Sequence, residues 1–206
     1  MKYHLSRTGR RAIGVMAGTA VAALATTTAA FAATSSGASP GSGAARAAAA
    51  IRKCAAALGQ SGNVSVWVAD GQGSGAAGTI YYPLEFTNLS GHTCSMYGFP
   101  GVSAISRSGQ QLGSPANWES GGSFGTPRTV TVAPGATVHA ILAYHDVGAY
   151  TASVCDPVNT TFELRVYPPD QRGATFAFFD LEACSHAGPF YLSVGPVKPG
   201  VGTING

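Results

Sequence analysis

Hydrophobic and polar residues alternate in short runs along most of the chain, which is the pattern of half-buried β-strands. In the clearest run, 79–88, Ile80, Tyr82, Leu84 and Phe86 occupy every second position. Runs of this kind, rich in β-branched or aromatic residues, occupy 63–69, 79–88, 101–106, 129–132, 137–144, 161–167, 175–181 and 190–194. Seven to nine short strands between turn residues, without a convincing amphipathic helix, predict an all-β fold, an antiparallel β-sandwich.

Three features interrupt this pattern. Pro83 has no N–H to donate, so it predicts a sheet edge or a bulge within 79–88. Pro134-Gly135 is typical of a type II turn, which can connect strands of one sheet or cross between two. The segment 107–127 is the longest without a strand pattern, and loops of that length are often functional or disordered.

The first 32 residues have the features of a signal peptide. Basic residues open the chain, an alanine-rich run follows over 12–25, and Ala30-Phe31-Ala32 offers a small-x-small cleavage site. The run is too short and too weakly apolar for a spanning helix, which needs roughly 20 strongly apolar residues. We therefore expect export, by the general or the twin-arginine route, and no membrane span after cleavage.

The mature chain divides into three further segments. A flexible linker rich in Ala, Gly and Ser occupies 33–51, a β-sandwich domain 52–198, and a loose C-terminal tail 199–206. The domain is of ordinary size and long enough to bury a core.

Removal of the leader changes the sign of the net charge. Of the 12 Lys and Arg residues, four lie in 1–32, so eight remain against nine Asp and Glu. A weakly acidic chain lacks the electrostatic basis for binding nucleic acid. We expect a monomer without a nucleic acid partner and without a cofactor.

The four cysteines lie symmetrically about two predicted turns. Cys54 and Cys94 have their midpoint in the glycine-rich stretch 70–75, and Cys155 and Cys184 have theirs in the Pro-Pro-Asp turn. Residues equidistant from a hairpin turn face each other, so symmetry selects these two disulfides among three possible connectivities. An even number of cysteines in an exported chain favours disulfides, and the absence of a C-x-x-C pair argues against a zinc knuckle.

One run of the sequence matches a hydrolase motif. The run 121–125 matches G-x-S-x-G around Ser123, and Asp146 or Asp156 and then His186 follow in the order of α/β-hydrolases. That motif needs a sharp strand-to-helix turn. Here it lies in a Gly-Ser loop with no helix after it, and a chain with 28 glycines favours a chance match.

Asp180 and Glu182 form the closest same-side pair of carboxylates, at a spacing compatible with glycoside hydrolysis. Paired edge charges that keep a sheet soluble are the interpretation we favour.

Histidines give no basis for a metal site. Four remain after the leader, His92, His139, His145 and His186. Two of them share the run 137–145, but six residues of strand separate them by roughly 20 Å. They cannot hold one ion together, so no metal is expected.

Aromatic residues in or beside predicted loops are the better functional candidates. Tyr97, Phe99 and Trp118 can form a sugar-stacking platform or a protein hot spot. In the alternative interpretation Tyr97 and Phe99 cap the core and only Trp118 is exposed. We expect Trp67 and Phe86 to be core residues.

Four segments of the chain, 81–94, 97–102, 132–135 and 164–169, carry a family resemblance. Their most specific elements are Asn-x-Ser-Gly-x-x-Cys and Gly-x-Pro-Gly-Val. Through them the chain resembles, over about 54–197, a family of secreted actinobacterial domains known as domain of unknown function 4232. It implies an immunoglobulin-like sandwich, export and two disulfides, and it implies no catalytic residue.

Together these observations predict a secreted or cell-wall-associated, immunoglobulin-like antiparallel β-sandwich stapled by two disulfides. We expect a non-catalytic module that contacts a protein or a cell-wall polysaccharide through Tyr97, Phe99 and Trp118. The alternatives are a secreted hydrolase that uses Ser123 or the carboxylates 180 and 182, and a structural spacer.

Overall fold

The computed structural model describes residues 51–56, 63–70, 73–158 and 161–203. The predicted signal peptide 1–32 and residues 33–50 of the predicted linker lie outside the described residues. The described part is all-β, with short 3-10 helices at Gly122–Phe124 and Val147–Ala149. Among these residues, no helix is long and apolar enough to cross a membrane.

The strands of the described ranges are β1 (Arg52–Lys53), β2 (Val64–Val68), β3 (Ser74–Ala76), β4 (Thr79–Asn88), β5 (Cys94–Tyr97), β6 (Gly101–Ser106), β7 (Gln111–Leu112), β8 (Asn117–Trp118), β9 (Thr129–Val132), β10 (Thr137–His145), β11 (Pro157–Val158), β12 (Thr161–Tyr167), β13 (Thr175–Phe178), β14 (Ala183–Cys184), β15 (Leu192–Val194) and β16 (Lys198–Pro199). Eight of these have four residues or more, which is within the predicted range of seven to nine. The other eight strands of the described ranges have two or three residues each.

The two main sheets form the layers of a sandwich. The larger has the order β2-β4-β10-β15-β8, with β3 paired to β4 and β16 to β10, and the smaller has the order β13-β12-β6-β7. A three-stranded sheet β1-β5-β9 and the pair β11-β14 complete the described domain. In these ranges every ladder is antiparallel except β1–β5 and β8–β15, which pair over two residues each.

One continuous core joins residues of all the sheets. Val66 and Phe86 from the larger sheet, Leu164 from the smaller and Val132 from the three-stranded sheet belong to it. Each lies on the inward side of an alternating strand, so burial follows the period of two that the sequence shows. The predicted immunoglobulin-like β-sandwich is thus confirmed as an all-β fold of several sheets with two disulfides.

The alternation located the long strands well. β4, β6, β9 and β12 have the predicted bounds, and β13 ends three residues earlier than expected. β5 was not predicted, and the segment 107–127 contains β7 and β8 rather than a continuous loop.

The prediction that Trp67 belongs to the core was wrong. Val64, Val66 and Val68 occupy the inward side of β2, so alternation places Trp67 outside, where it is 44% exposed. Phe86 is fully buried, as predicted.

Pro83 lies within a central strand rather than at an edge or a bulge, because β10 pairs with β4 in unbroken register and Ile141 is opposite Pro83. The Pro83 carbonyl accepts a hydrogen bond from the Ala69 N–H at 2.9 Å, just after β2 ends. The proline nitrogen points to the same side, into the break between β2 and β3. Proline cannot return this bond to the Ala69 carbonyl, and the β2–β4 ladder ends at the preceding pair, Val68 and Leu84.

The Pro134-Gly135 turn is a crossover between sheets. It joins β9 of the three-stranded sheet to β10 of the larger one. The Ala136 N–H donates to the Ala133 carbonyl at 3.0 Å, and Gly135 has φ +72°. This positive φ is what a type II turn requires at its third position and what glycine adopts without strain.

Both predicted disulfides are present. The Cα atoms of Cys155 and Cys184 are 4.6 Å apart. This bridge lies at the antiparallel pair β11–β14, which continues the β12–β13 hairpin in the same register. Cys54 and Cys94 are 5.0 Å apart. Their pairing was predicted correctly, but they are not opposite each other in a hairpin, because β1 and β5 run parallel.

Candidate functional site

Phe99 and Trp118 form a stacked aromatic pair on the surface. Their ring centroids are 5.4 Å apart and the ring planes differ by 12°. Trp118 is 60% exposed and Phe99 is half-buried. Since Phe99 covers one face of the indole, the exposed area of Trp118 is free to contact a ligand.

The backbone on both sides of this pair is anchored. Trp118 lies in β8, paired in parallel with β15, and the Glu119 N–H donates to the Val194 carbonyl at 3.0 Å. The Trp118 indole N–H donates to the Pro100 carbonyl at 3.0 Å. The indole therefore has one fixed orientation before any ligand arrives, which reduces the entropy lost on binding.

Tyr97 does not join the stacked pair. It is 59% exposed on the outer side of β5 and lines a concavity of about 200 Å³ together with Lys53, Thr129 and Asp170. Neither Phe99 nor Trp118 lines that concavity. Lys53 and Asp170 form an ion pair across it, so the three predicted aromatic contacts divide between two places.

The G-x-S-x-G run forms a tight 3-10 turn instead of a strand-to-helix elbow. Gly121, Gly122 and Gly125 all have positive φ, and the first and last are joined by a β-bridge. The Ser123 carbonyl accepts a hydrogen bond from the Lys198 Nζ at 2.7 Å. These glycines serve the shape of the backbone, which explains the motif without a nucleophile.

His186 lies beside Ser185 rather than Ser123. The Ser185 hydroxyl donates to the Asp156 Oδ2 at 3.1 Å and shares a 3.0 Å hydrogen bond with the His186 Nδ1. In a catalytic triad the histidine lies between the serine and the carboxylate. Here the serine lies between them, so this cluster has the wrong order for a Ser-His-Asp nucleophile.

The two candidate carboxylates face different neighbours. Asp180 lines a cleft with Asp70, Tyr82 and Phe178. Burial, and secondarily the charge of Asp70, raises the pKa of Tyr82 above its usual value. Glu182 instead contributes to the raised pKa of Tyr144, after burial as the main cause.

The histidines of β10 are held by separate partners. The His139 Nδ1–H donates to the Gly200 carbonyl at 2.8 Å, whereas the His145 Nδ1 shares a 2.9 Å hydrogen bond with the Thr79 hydroxyl. Among the described residues, no group of three or more His, Cys, Asp or Glu side chains is placed to hold a metal ion.

Sequence reasoning missed a second aromatic surface, on the outer side of the smaller sheet. Phe162, Phe176 and Phe178 project outward from β12 and β13, and Phe178 is 74% exposed. The alternating positions of 176 and 178 were visible in the sequence. Which side of β13 faces solvent was not, because small and large apolar residues occupy both sides.

A buried polar pair lies beneath the end of the described chain. Glu85 is fully buried, and its Oε1 accepts a hydrogen bond from the Gly202 N–H at 2.8 Å. Its Oε2 has no hydrogen-bond partner among the described residues. His139 is opposite Glu85 in the β4–β10 register, so two titratable groups share a site with little solvent.

Comparison with known proteins gives a family match. A family model described as a domain of unknown function, DUF4232, matches residues 54–198. No curated protein and no solved structure matches the chain. The matched region includes both disulfides and the stacked pair of Phe99 and Trp118.

Proposed function

The chain belongs to the DUF4232 family, and from its surface geometry we propose that this member is a non-catalytic binding module of the cell envelope or extracellular medium. Its contact surface is centred on Phe99 and Trp118, and its ligand is a cell-wall polysaccharide or a protein.

The observation that carries this proposal is the fixed, exposed indole of Trp118. Aromatic rings, tryptophan above all, dominate many binding interfaces. The stacking of Phe99 and the hydrogen bond to Pro100 prevent the ring from folding back onto the protein. A flat ring held in one orientation can stack on the apolar face of a sugar or enter a protein pocket.

Two structural disulfides support an extracellular location. Both bridges are buried, and all four cysteines of the chain take part in them. Bridges of this kind persist in oxidising compartments. Together with the leader expected from the sequence, they support export to the envelope or the medium.

A hydrolase is the weaker alternative. Ser123 lies in a glycine turn, and the His186 ring shares its hydrogen bond with Ser185 instead of Ser123. Neither arrangement supplies the activated nucleophile that hydrolysis by this motif needs.

The test is a pull-down of the oxidised protein, without the predicted leader, on purified cell walls, chitin and cellulose. We expect retention on one of these baits and a loss on the order of tenfold in affinity for Trp118→Ala. Trp67→Ala is the matched control, because Trp67 is also exposed but projects from β2.

Equal retention of both variants would place the contact elsewhere. The proposal would be contradicted if the protein bound none of these baits and no protein from a secreted-protein extract. Circular dichroism of each variant checks that the fold is unchanged.

A further inference from the structure

The outer side of the smaller sheet carries an arginine–aromatic face. It consists of Arg107, Phe162, Arg165, Tyr167, Phe176 and Phe178. In the register of β12 and β13, Arg165 is opposite Phe176 and Glu163 is opposite Phe178, so these side chains project to one side. The inward side of the same strands carries Leu164 and Ala177, which are buried.

A break in register brings Phe162 onto this face. The pairing of β12 with β6 shifts between Thr161 and Glu163. An irregularity of that kind changes the side of the sheet to which a side chain projects. Phe162 is exposed, and its ring meets that of Phe178 edge to face at 5.1 Å.

The face repeats one chemical unit, a guanidinium over an aromatic ring. Arg107 lies 4.9 Å from the ring centroid of Phe162, and Arg165 lies 5.9 Å from that of Tyr167. The two rings are five residues apart along β12, roughly 16 Å by the rise of a strand. A surface that presents the same unit twice along one strand suits a ligand that also repeats.

The two guanidinium groups lack an anionic partner. Within the described ranges neither forms an ion pair, since the ion pair found there joins Lys53 and Asp170. Arg165 donates from Nη2 to the Gln111 Oε1 at 2.8 Å, and its Nε is buried without a hydrogen-bond partner. The face therefore holds two oriented cations that form no ion pair within the described residues.

The carboxylates nearby limit how a ligand can lie. Glu163 lies between the two cation–ring units on β12. Asp180 and Asp70 line the cleft on the other side of Phe178. An anionic chain is attracted at Arg107 and Arg165 and repelled at Glu163 between them and at the cleft beside β13. It therefore runs along β12 with its acidic groups at the two arginines.

We propose that the arginine–aromatic face binds an anionic polysaccharide. Arg107 and Arg165 contact carboxylate or phosphate groups of the polymer, because a guanidinium matches both groups with paired hydrogen bonds. Phe162, Phe176 and Phe178 contact the apolar faces of its sugar rings. This proposal rests on residues other than Phe99 and Trp118, so it stands independently of the function proposed above.

The experiment measures affinity of the full oxidised protein for polygalacturonate and for phosphorylated dextran, by affinity electrophoresis. Methyl-esterified polygalacturonate and plain dextran are the matched neutral polymers. We expect binding to at least one acidic polymer, little binding to its neutral form, and weaker binding as ionic strength rises. The polymer bound more tightly identifies the anionic group.

Variants locate the site. Arg107→Gln should weaken binding about tenfold, the usual worth of a charge-assisted hydrogen bond, and Phe178→Ala should weaken it several-fold. Arg128→Gln is the control, since Arg128 is exposed but precedes β9, and it should change affinity by less than about twofold. Trp118→Ala should leave this binding unchanged, which distinguishes this result from the contact surface at Phe99 and Trp118 proposed above.

Four outcomes would overturn the inference. They are no binding to either acidic polymer at low ionic strength, equal binding to the neutral forms, equal loss in Arg128→Gln, and unchanged affinity in Arg107→Gln and Phe178→Ala. Sedimentation of the free protein adds a further check: a dimer that Phe178→Ala dissociates would assign the face to a second copy of this chain instead.

Discussion

At the scale of single residues, Glu85 is the group most at odds with its surroundings. It is fully buried in the centre of β4, and one carboxylate oxygen has a hydrogen bond from Gly202 while the other has no partner in the described part of the chain. Burial raises the pKa of Glu85, and the Gly202 N–H opposes this in part. Folding therefore shifts the equilibrium of this group toward the protonated carboxyl relative to the unfolded chain.

This shift predicts how stability depends on pH. Between the ordinary pKa of 4.5 and its raised value, the folded state holds a proton on Glu85 that the unfolded state has released. Its contribution to stability is therefore largest at low pH and declines as pH rises through that window. Burial lowers the pKa of His139 from 6.5, with the opposite effect: stability is lost as pH falls below 6.5.

Comparison with Glu85→Gln isolates the glutamate contribution, because His139 is common to both proteins. The melting temperature of Glu85→Gln minus that of the natural protein should increase as pH rises from about 4 to about 8. Glu182→Gln, which removes an exposed carboxylate, is the control variant. A difference for Glu85→Gln that does not change with pH would show that Glu85 has no raised pKa.

At the scale of elements, β16 and the residues after it cover this buried pair. β16 pairs with β10, with Lys198 opposite His139. The chain then reaches Gly202, which is buried although 199–206 was expected to be a loose tail. A Cβ at position 202 would lie 2.5 Å from the Pro83 Cβ and 3.0 Å from the His139 ring, so only glycine fits.

Gly202→Ala should therefore lower the free energy of unfolding by about 2–3 kcal/mol, because relief of the overlap moves the segment and draws the residue 202 N–H away from the Glu85 carboxylate. Val201→Ala is the control, since Val201 is exposed beside it. Urea denaturation measures both. A change below about 0.5 kcal/mol in Gly202→Ala would show that the segment does not hold Glu85 in solution.

At the scale of the whole molecule, each disulfide joins residues that are far apart in the sequence and lie beside a ladder that already pairs their two segments. Cys54–Cys94 closes a separation of 40 residues and attaches the segment after β1 to β5. Cys155–Cys184 closes 29 residues around the β12–β13 hairpin. Both bridges lie in the core, so they restrict the unfolded chain without exposing sulfur in the folded one.

Replacing Cys155 and Cys184 together by alanine should cost about 3–4 kcal/mol in the chain-entropy treatment. Replacement of Cys54 and Cys94 should cost slightly more, because the loop is longer. Urea denaturation of each double variant under oxidising conditions measures this order. A loss below about 1 kcal/mol would indicate that the unfolded chain keeps structure around the bridge.

The sequence by itself determined the class of the fold and most of its long strands. β4, β6, β9 and β12 follow directly from alternation, because a strand in a sandwich has one apolar and one polar side and this period is local. Cysteine symmetry selected the right bridges, although Cys54 and Cys94 are brought together through parallel pairing rather than a hairpin. The symmetry argument uses only the sequence positions of the cysteines, whereas the way in which the chain brings each pair together depends on the whole fold.

Only the tertiary structure decided which side of each strand meets the core. Trp67 and Trp118 are both exposed, yet one projects from an edge strand and the other stacks on Phe99. Phe176 and Phe178 face outward because Ala177 packs inward against the opposite sheet. Alternation shows that the two sides of a strand differ. Which side is buried depends on the sheet that packs against it, and the strands of that sheet come from distant parts of the chain.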